Sequence, residues 1–75
     1  SDYLNHVLNT TFYEYINELR VKAARGIMDS MTYEKRKTMQ EIADQSGFTS
    51  ISTFNRSFIK IVGMTPSQYA AKRMS

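Results

Sequence analysis

An apolar residue recurs at every third or fourth position through the first half of the chain. After Thr11 these residues are Phe12, Ile16, Leu19, Ala23 and Ile27, with Tyr15 and Met28 beside them. Steps of three and four place side chains on one face of an α-helix, whereas a half-buried strand alternates strictly. The pattern therefore predicts a long helix that begins at Thr11, ends near Ser30 and carries an apolar stripe.

The same local signal predicts three helix starts. Thr11, Thr38 and Thr65 are each followed three residues later by Glu or Gln, which is the arrangement of a capping box. In a capping box the Thr hydroxyl and the Glu or Gln side chain accept hydrogen bonds from free backbone N–H groups of the first turn. Pro66 strengthens the third signal, because proline at the first helical position loses no hydrogen bond.

Residues 38–65 predict two helices joined by a tight turn. A short helix is expected from Thr38 to about Gln45, and Gly47 after it can adopt the positive φ of such a turn. A second helix is expected over about residues 50–62. Two helices joined in this way form a helix-turn-helix, although other helix corners carry similar residues.

The second of these helices is amphipathic. Phe54, Phe58 and Ile61 line one side of it. The other side carries polar side chains that can reach base edges and phosphates in a major groove, namely Ser52, Asn55, Arg56 and Lys60. Because no stretch sustains the alternation of a strand, the sequence predicts an all-α fold.

Length and composition exclude several classes of protein. The 75 residues allow one small domain, and 41% hydrophobic with 23% charged residues is typical of a folded one. Cysteine is absent, which excludes disulfides, thiolate metal sites and cysteine nucleophiles. With one histidine and no glycine-rich phosphate loop, we expect no enzyme, metal or cofactor. No apolar run approaches the ~20 residues that cross a bilayer and no signal peptide is recognisable, so we expect a cytoplasmic protein.

Charge is distributed unevenly along the chain. Residues 1–44 hold all seven acidic residues and six of the ten bases, a net charge of −1. Residues 45–75 hold the other four bases and no acid, a net charge of +4. A basic half suits an anionic partner such as nucleic acid, and the alternative is an ordinary solvated surface with a basic tail.

Four blocks of sequence together resemble a known family. They read FYEYINELRVKAARGIM at 12–28, EIADQSGF at 41–48, FNRSF at 54–58 and GMTPSQY at 63–69. In this order and spacing they resemble the DNA-binding domain of the AraC/XylS family of bacterial transcription regulators. The resemblance covers nearly the whole chain.

The resemblance implies two homeodomain-like helix-turn-helix units joined by a linker helix. We expect the remnant of a first recognition helix over 1–9, the linker helix over 10–31, a connection over 32–37, and the second unit with its closing helix over 38–75. A helix of about 20 residues spans roughly 30 Å, close to the ~34 Å between successive major-groove faces. It can therefore seat two recognition helices in adjacent grooves. Gly26 lies inside this helix, and we expect it to allow close packing against a neighbouring helix rather than to act as a hinge.

A weak internal repeat supports the presence of two units. Residues 4–8 parallel residues 54–58, and residues 11–15 parallel residues 65–69. The first copy lacks the helix that precedes the turn and is four residues short around Asn9. We therefore expect the sequence to begin inside the first recognition helix, and the shortfall to be either a deletion or a loop left out of this sequence.

Site residues follow from the resemblance position by position. The candidates for base contact are Ile51, Ser52, Asn55 and Arg56 in the second unit, with Asn5 and His6 in the first. The candidates for phosphate contact are Ser50, Thr53, Lys60, Thr65 and Ser67. The residues expected in the core are Phe48, Phe54, Phe58 and Tyr69.

Several of these roles have alternatives. Arg56 can pair with guanine or contact a phosphate, and Asn55 suits adenine. Ile51 either touches a thymine methyl group or packs beneath the turn. Thr65 either contacts phosphate or only caps its helix. His6 stands where a basic residue is usual, which leaves its charge open.

The function expected is sequence-specific binding of double-stranded DNA by a bacterial transcription regulator, with the helix over 50–62 in the major groove. The resemblance also implies a separate sensing or dimerisation domain and contact with RNA polymerase. The alternative is a small helical protein–protein interaction module, because five Met and several aromatic residues can line a partner's groove. Glu14 and Glu18 share a helix face, but a solvated surface explains this pair better than acid–base catalysis.

Overall fold

The structure of the protein, a computed structural model, describes the backbone of residues 2–74 and the side chains of residues 11–74. It contains four helices, α1 (Asp2–Asp29), α2 (Met39–Gln45), α3 (Ile51–Val62) and α4 (Pro66–Met74). No strand occurs within residues 2–74. The all-α helix-turn-helix fold predicted from the sequence is therefore confirmed.

The long helix α1 begins earlier than the sequence predicted. It starts at Asp2 and runs without interruption to Asp29, so that Thr11 lies inside the helix and does not cap it. The predicted start at Thr11 is wrong because the residues before it include no proline or glycine to end a helix. A capping-box pattern identifies compatible residue types, and a helix can pass through them.

The buried face of α1 also differs from the predicted stripe. Val21, Ala24 and Met28 are buried, whereas Phe12 is 66% exposed and Leu19 is 46% exposed. Both sets follow helical spacing, so periodicity alone fits more than one face of α1, and the predicted and the buried face adjoin at Ile27 and Met28, which pack against or within the core. The face that is buried is the one on which α2, α3 and α4 pack.

A row of four aromatic rings forms the centre of the core. Phe48, Phe54, Phe58 and Tyr69 are all buried, as predicted. Successive ring centroids lie 5.4, 5.8 and 5.5 Å apart in tilted or edge-to-face arrangements, within the range that aromatic pairs favour. The row crosses from the turn before α3, along α3, to α4, and so ties the helix-turn-helix to its closing helix.

The remaining helix starts and the turn agree with the sequence. The Thr38 hydroxyl accepts a hydrogen bond from the Glu41 N–H at 3.1 Å. Thr65 and Gln68 form a complete capping box, in which each side chain accepts from the other's backbone N–H at 3.1 and 3.0 Å. Gly47 has φ +95°, the left-handed conformation expected of it.

Gly26 does not serve the role predicted for it. A β-carbon placed on Gly26 meets no atom outside its own helix backbone within 4 Å, so no neighbouring helix packs closely there. The side of α1 that carries Gly26 is exposed. None of the helices within residues 2–74 is long and apolar enough to cross a membrane.

Candidate nucleic-acid interface

The outer side of α3 presents the polar side chains that the sequence singled out. Phe54 and Phe58 are fully buried on its inner side. The exposed residues of its outer side include four candidates for DNA contact, namely Ser52, Asn55, Arg56 and Lys60. Because packing fixes the inner side, these four side chains extend from a helix whose orientation is set by the core.

The N-terminus of α3 is capped by hydroxyl groups. Ser50 is the N-cap, and its hydroxyl accepts from the Thr53 N–H at 3.1 Å while donating to the Thr53 hydroxyl at 2.9 Å. Ser50 is exposed and Thr53 is half-buried. Both candidates for phosphate contact are thus joined in one N-terminal cap, where the backbone N–H groups and the helix dipole favour an anion.

Ile51 lies at the edge of the core. It is half-buried and packs against the buried cluster that includes Phe54. This contact favours the packing role that was the alternative to a thymine contact, while part of the side chain stays accessible.

Thr65 and Ser67 lie at the start of a different helix, α4. The hydroxyl of Thr65 is engaged in the capping box with Gln68, and Ser67 is exposed. The capping role considered for Thr65 is therefore present in the structure. The side chains of Asn5 and His6, the candidates of the first unit, lie outside the described residues.

A groove between α1 and α3 brings candidate residues of α3 against α1. Thr53, Arg56 and Lys60 line it from α3, and Tyr13 and Glu14 line it from α1. The groove is open and has a volume of about 310 Å³. Tyr13 and Glu14 were not among the predicted site residues, because only the packing angle of two helices distant in sequence brings them there.

An ion pair crosses this groove. The Nζ atom of Lys60 lies 3.9 Å from Oε1 of Glu14, and the two side chains are 75% and 56% exposed. Glu14 is exposed, as expected from the sequence. It stands beside a basic residue of the outer side of α3.

Arg20 of α1 packs against the turn before α3. Its guanidinium lies over the Phe48 ring at 5.9 Å from the centroid, and its side chain lies 3.6 Å from the position that a β-carbon on Gly47 would occupy. It also donates a hydrogen bond to the buried Asn17 at 3.4 Å. These contacts fix the turn, and hence the start of α3, relative to α1.

At its other end α1 is joined to α4. Oδ1 of Asp29 accepts a hydrogen bond from the Tyr69 hydroxyl at 2.8 Å and one from Nε of Arg73 at 2.7 Å. These two hydrogen bonds, that from Arg73 more than that from Tyr69, hold the pKa of Asp29 below its usual value. The hydrogen bond between Arg73 and Asp29 also raises the pKa of Arg73. Arg25 and Arg73 both lie against the Tyr69 ring, at 5.6 and 5.7 Å from its centroid.

Helices α2 and α3, the glycine turn between them and the polar outer side of α3 define a helix-turn-helix domain. Comparison with known families agrees with this class. The family model described as a helix-turn-helix domain matches residues 1–72. The chain belongs to this family, the AraC-type helix-turn-helix domains of DNA-binding transcription regulators, which is a family of DNA-binding domains and not of enzymes.

The chain is also similar to proteins named as regulators. The chain is 35% identical over 63 residues to the melibiose operon regulatory protein of Escherichia coli. This match covers 84% of this chain and 20% of that protein. It is 38% identical over 55 residues to an HTH-type transcriptional regulator of Mycobacterium tuberculosis, covering 73% of this chain and 20% of that protein. The chain thus spans about a fifth of the length of these relatives. No solved structure matches it.

Proposed function

We propose that the domain recognises specific sequences of double-stranded DNA, with α3 lying in the major groove. The observation that carries this proposal is the division of α3 into two sides, because Phe54 and Phe58 are fully buried while Asn55 and Arg56 are exposed. Such a division leaves one side of the helix to hold its orientation and the other to enter the groove. The acid-free composition of residues 45–75 supports an anionic partner.

Base readout is assigned to the outer side of α3. Arg56 has the donor geometry for two hydrogen bonds to guanine, and Asn55 can pair with adenine in the same way. Ser52 can bond to either base, and Ile51 offers its exposed atoms to a thymine methyl group. Asn5 and His6 are the corresponding candidates for base contact in the first unit.

Phosphate contact is assigned to the basic and hydroxyl residues at the borders of α3 and α4. Lys60 supplies a positive charge, and the N-terminal cap formed by Ser50 and Thr53 supplies hydroxyls at the start of a helix. Thr65 and Ser67 supply the corresponding groups at the start of α4. These contacts orient the domain on the duplex and carry no sequence information by themselves.

The organisation of the whole protein belongs to the same proposal. Residues 1–9 belong to a first recognition helix that continues into the linker helix of residues 10–31 as one helix, α1, which ends at Asp29; residues 32–37 are the connection and 38–75 the second unit. In the full protein the domain is joined to a sensing or dimerisation domain and contacts RNA polymerase. The protein acts in the bacterial cytoplasm.

The first test is an NMR titration of the labelled domain with a generic duplex at low salt. We expect shifts clustered at residues 50–60 and 65–67 that disappear as salt is raised. Each phosphate contact adds about −0.9 to the slope of log affinity against log salt. The absence of any shift at low salt would contradict the proposal.

Arg56→Ala separates base readout from simple charge. If Arg56 reads a base, the variant loses roughly 1–3 kcal/mol on the preferred sequence and less on others. Arg36→Ala is the matched control, since it removes the same charge from the exposed connection between α1 and α2. Equal losses on every duplex would make Arg56 a phosphate contact.

A second candidate function is protein–protein interaction, which the exposed apolar residues of α1 favour. Phe12, Tyr15 and Leu19 are 66%, 56% and 46% exposed. Binding through these residues would shift the NMR signals of α1 and would depend little on salt, in contrast to binding through α3.

A further inference from the structure

Glu14 is an acidic residue at the edge of the proposed DNA interface. It lines the same groove as Arg56 and Lys60, and its carboxylate lies 3.9 Å from the Lys60 ammonium. A negative charge here is unfavourable for a surface that binds phosphate, since two like charges within about 10 Å repel each other at moderate salt. We infer that Glu14 competes with DNA phosphate for Lys60 and thereby lowers the affinity of the domain for every duplex.

This inference rests on the proposed function, because it requires α3 to bind DNA. In the free domain Lys60 has Glu14 as its partner. For Lys60 to contact a phosphate it has to leave Glu14, and Glu14 then stays beside the DNA backbone without its cation. Both steps reduce what Lys60 contributes to binding.

The size of the effect follows from the exposure of the pair. Exposed ion pairs contribute little, so removal of Glu14 is expected to tighten binding by roughly 1.5- to 5-fold. The effect falls as salt rises, because exposed charges are screened. It is independent of sequence, since neither phosphate nor Glu14 distinguishes one base pair from another.

The consequence for the protein is a lower affinity from contacts with the DNA phosphates alone. Lys60 supplies a contact that every duplex can accept, and Glu14 weakens this contact. Of the candidates for base readout on α3, Arg56 also lines the groove with Glu14, whereas Ser52 and Asn55 do not. Base contacts made by Ser52 and Asn55 therefore supply a larger share of the binding free energy than they would with an unopposed Lys60.

The test is a comparison of Glu14→Gln with Glu34→Gln by fluorescence anisotropy on one generic duplex. Both variants remove one negative charge and keep the side-chain shape, but Glu34 lies in the exposed connection between α1 and α2. We expect Glu14→Gln to bind more tightly than Glu34→Gln at low salt, and the difference to shrink as salt rises. Thermal unfolding followed by circular dichroism verifies that each variant is folded.

A double-mutant cycle with Lys60→Gln tests the pairing itself. Loss of Lys60 is expected to weaken binding more in the Glu14→Gln background than in the original protein, because only there is Lys60 unopposed. Additive effects, or equal gains in Glu14→Gln and Glu34→Gln, would overturn the inference and leave the proposed function intact. No binding by any variant at low salt would overturn both.

Discussion

The hydroxyl of Tyr69 donates a hydrogen bond of 2.8 Å to Oδ1 of Asp29, across 40 residues of sequence. The bond joins the last residue of α1 to the buried face of α4. Tyr69 is also the final ring of the aromatic row that continues into α3 through Phe58. One side chain thus connects the closing helix both to the proposed recognition helix and to the end of α1.

Tyr69→Phe is expected to destabilise the domain by about 1 kcal/mol, since it removes one hydrogen bond and keeps the ring packing. For a domain of this size that corresponds to a decrease of roughly 4–8 °C in the midpoint of thermal unfolding. Tyr33→Phe is the matched control, because Tyr33 is 72% exposed in the connection after α1. An equal midpoint for the two variants would show that the hydroxyl of Tyr69 contributes nothing to stability.

Asp29 makes the stability of the domain sensitive to acid. Its hydrogen bonds from Arg73 and Tyr69 lower its pKa from the ordinary 3.8, so the unfolded chain binds a proton more readily than the folded one. The contribution of Asp29 is complete above about pH 4 and is lost as the pH falls through the lowered value. Asp29→Asn keeps an oxygen acceptor and removes the titration.

We expect the original protein to be more stable than Asp29→Asn near neutral pH and the two to become equal at the acid end. Chemical unfolding at a series of pH values measures this difference. A difference that stays constant through the acid range would contradict the assignment of this titration to Asp29.

Gly47 and Gly26 are expected to respond to alanine with opposite signs. Gly47→Ala forces a side chain into the left-handed conformation at φ +95° and costs about 1–2 kcal/mol. The cost is conformational, because a β-carbon at this position makes only ordinary contacts with Arg20, the shortest being 3.6 Å. Gly26→Ala lies inside α1 with open space around it, and stabilises by roughly 0.5–1 kcal/mol.

Urea unfolding of both glycine variants measures the two signs. Destabilisation by Gly26→Ala would mean that its surroundings are more crowded than the structure shows. A neutral Gly47→Ala would mean that the turn can adopt another conformation.

Substitutions in α1 test which of its faces is buried. Met28→Ala is expected to cost about 2–5 kcal/mol, because Met28 is fully buried in the core. Leu19→Ala is expected to change the free energy of unfolding by no more than about 0.5 kcal/mol, because Leu19 is 46% exposed. If Leu19→Ala proved as costly as Met28→Ala, the face predicted from periodicity would be buried after all.

Local signals in the sequence were sufficient for the second half of the chain. Thr38 and Thr65 cap their helices through atoms within three residues, and Gly47 takes its positive φ from the geometry of a single turn. The polar outer side of α3 follows from the positions of Phe54 and Phe58 one turn apart. Such features depend on neighbours in the sequence, and the residue types that satisfy them are few.

The all-α class, the helix-turn-helix and the candidate residues of α3 therefore follow from local residue patterns. The buried face of α1 depends instead on how the helices pack, because Leu19 and Val21 stand on faces that are both compatible with helical spacing. The same packing brings Glu14 to Lys60 and Asp29 to Tyr69. These pairs lie 46 and 40 residues apart, and contacts at such separation depend on how whole helices pack, which no local residue pattern encodes.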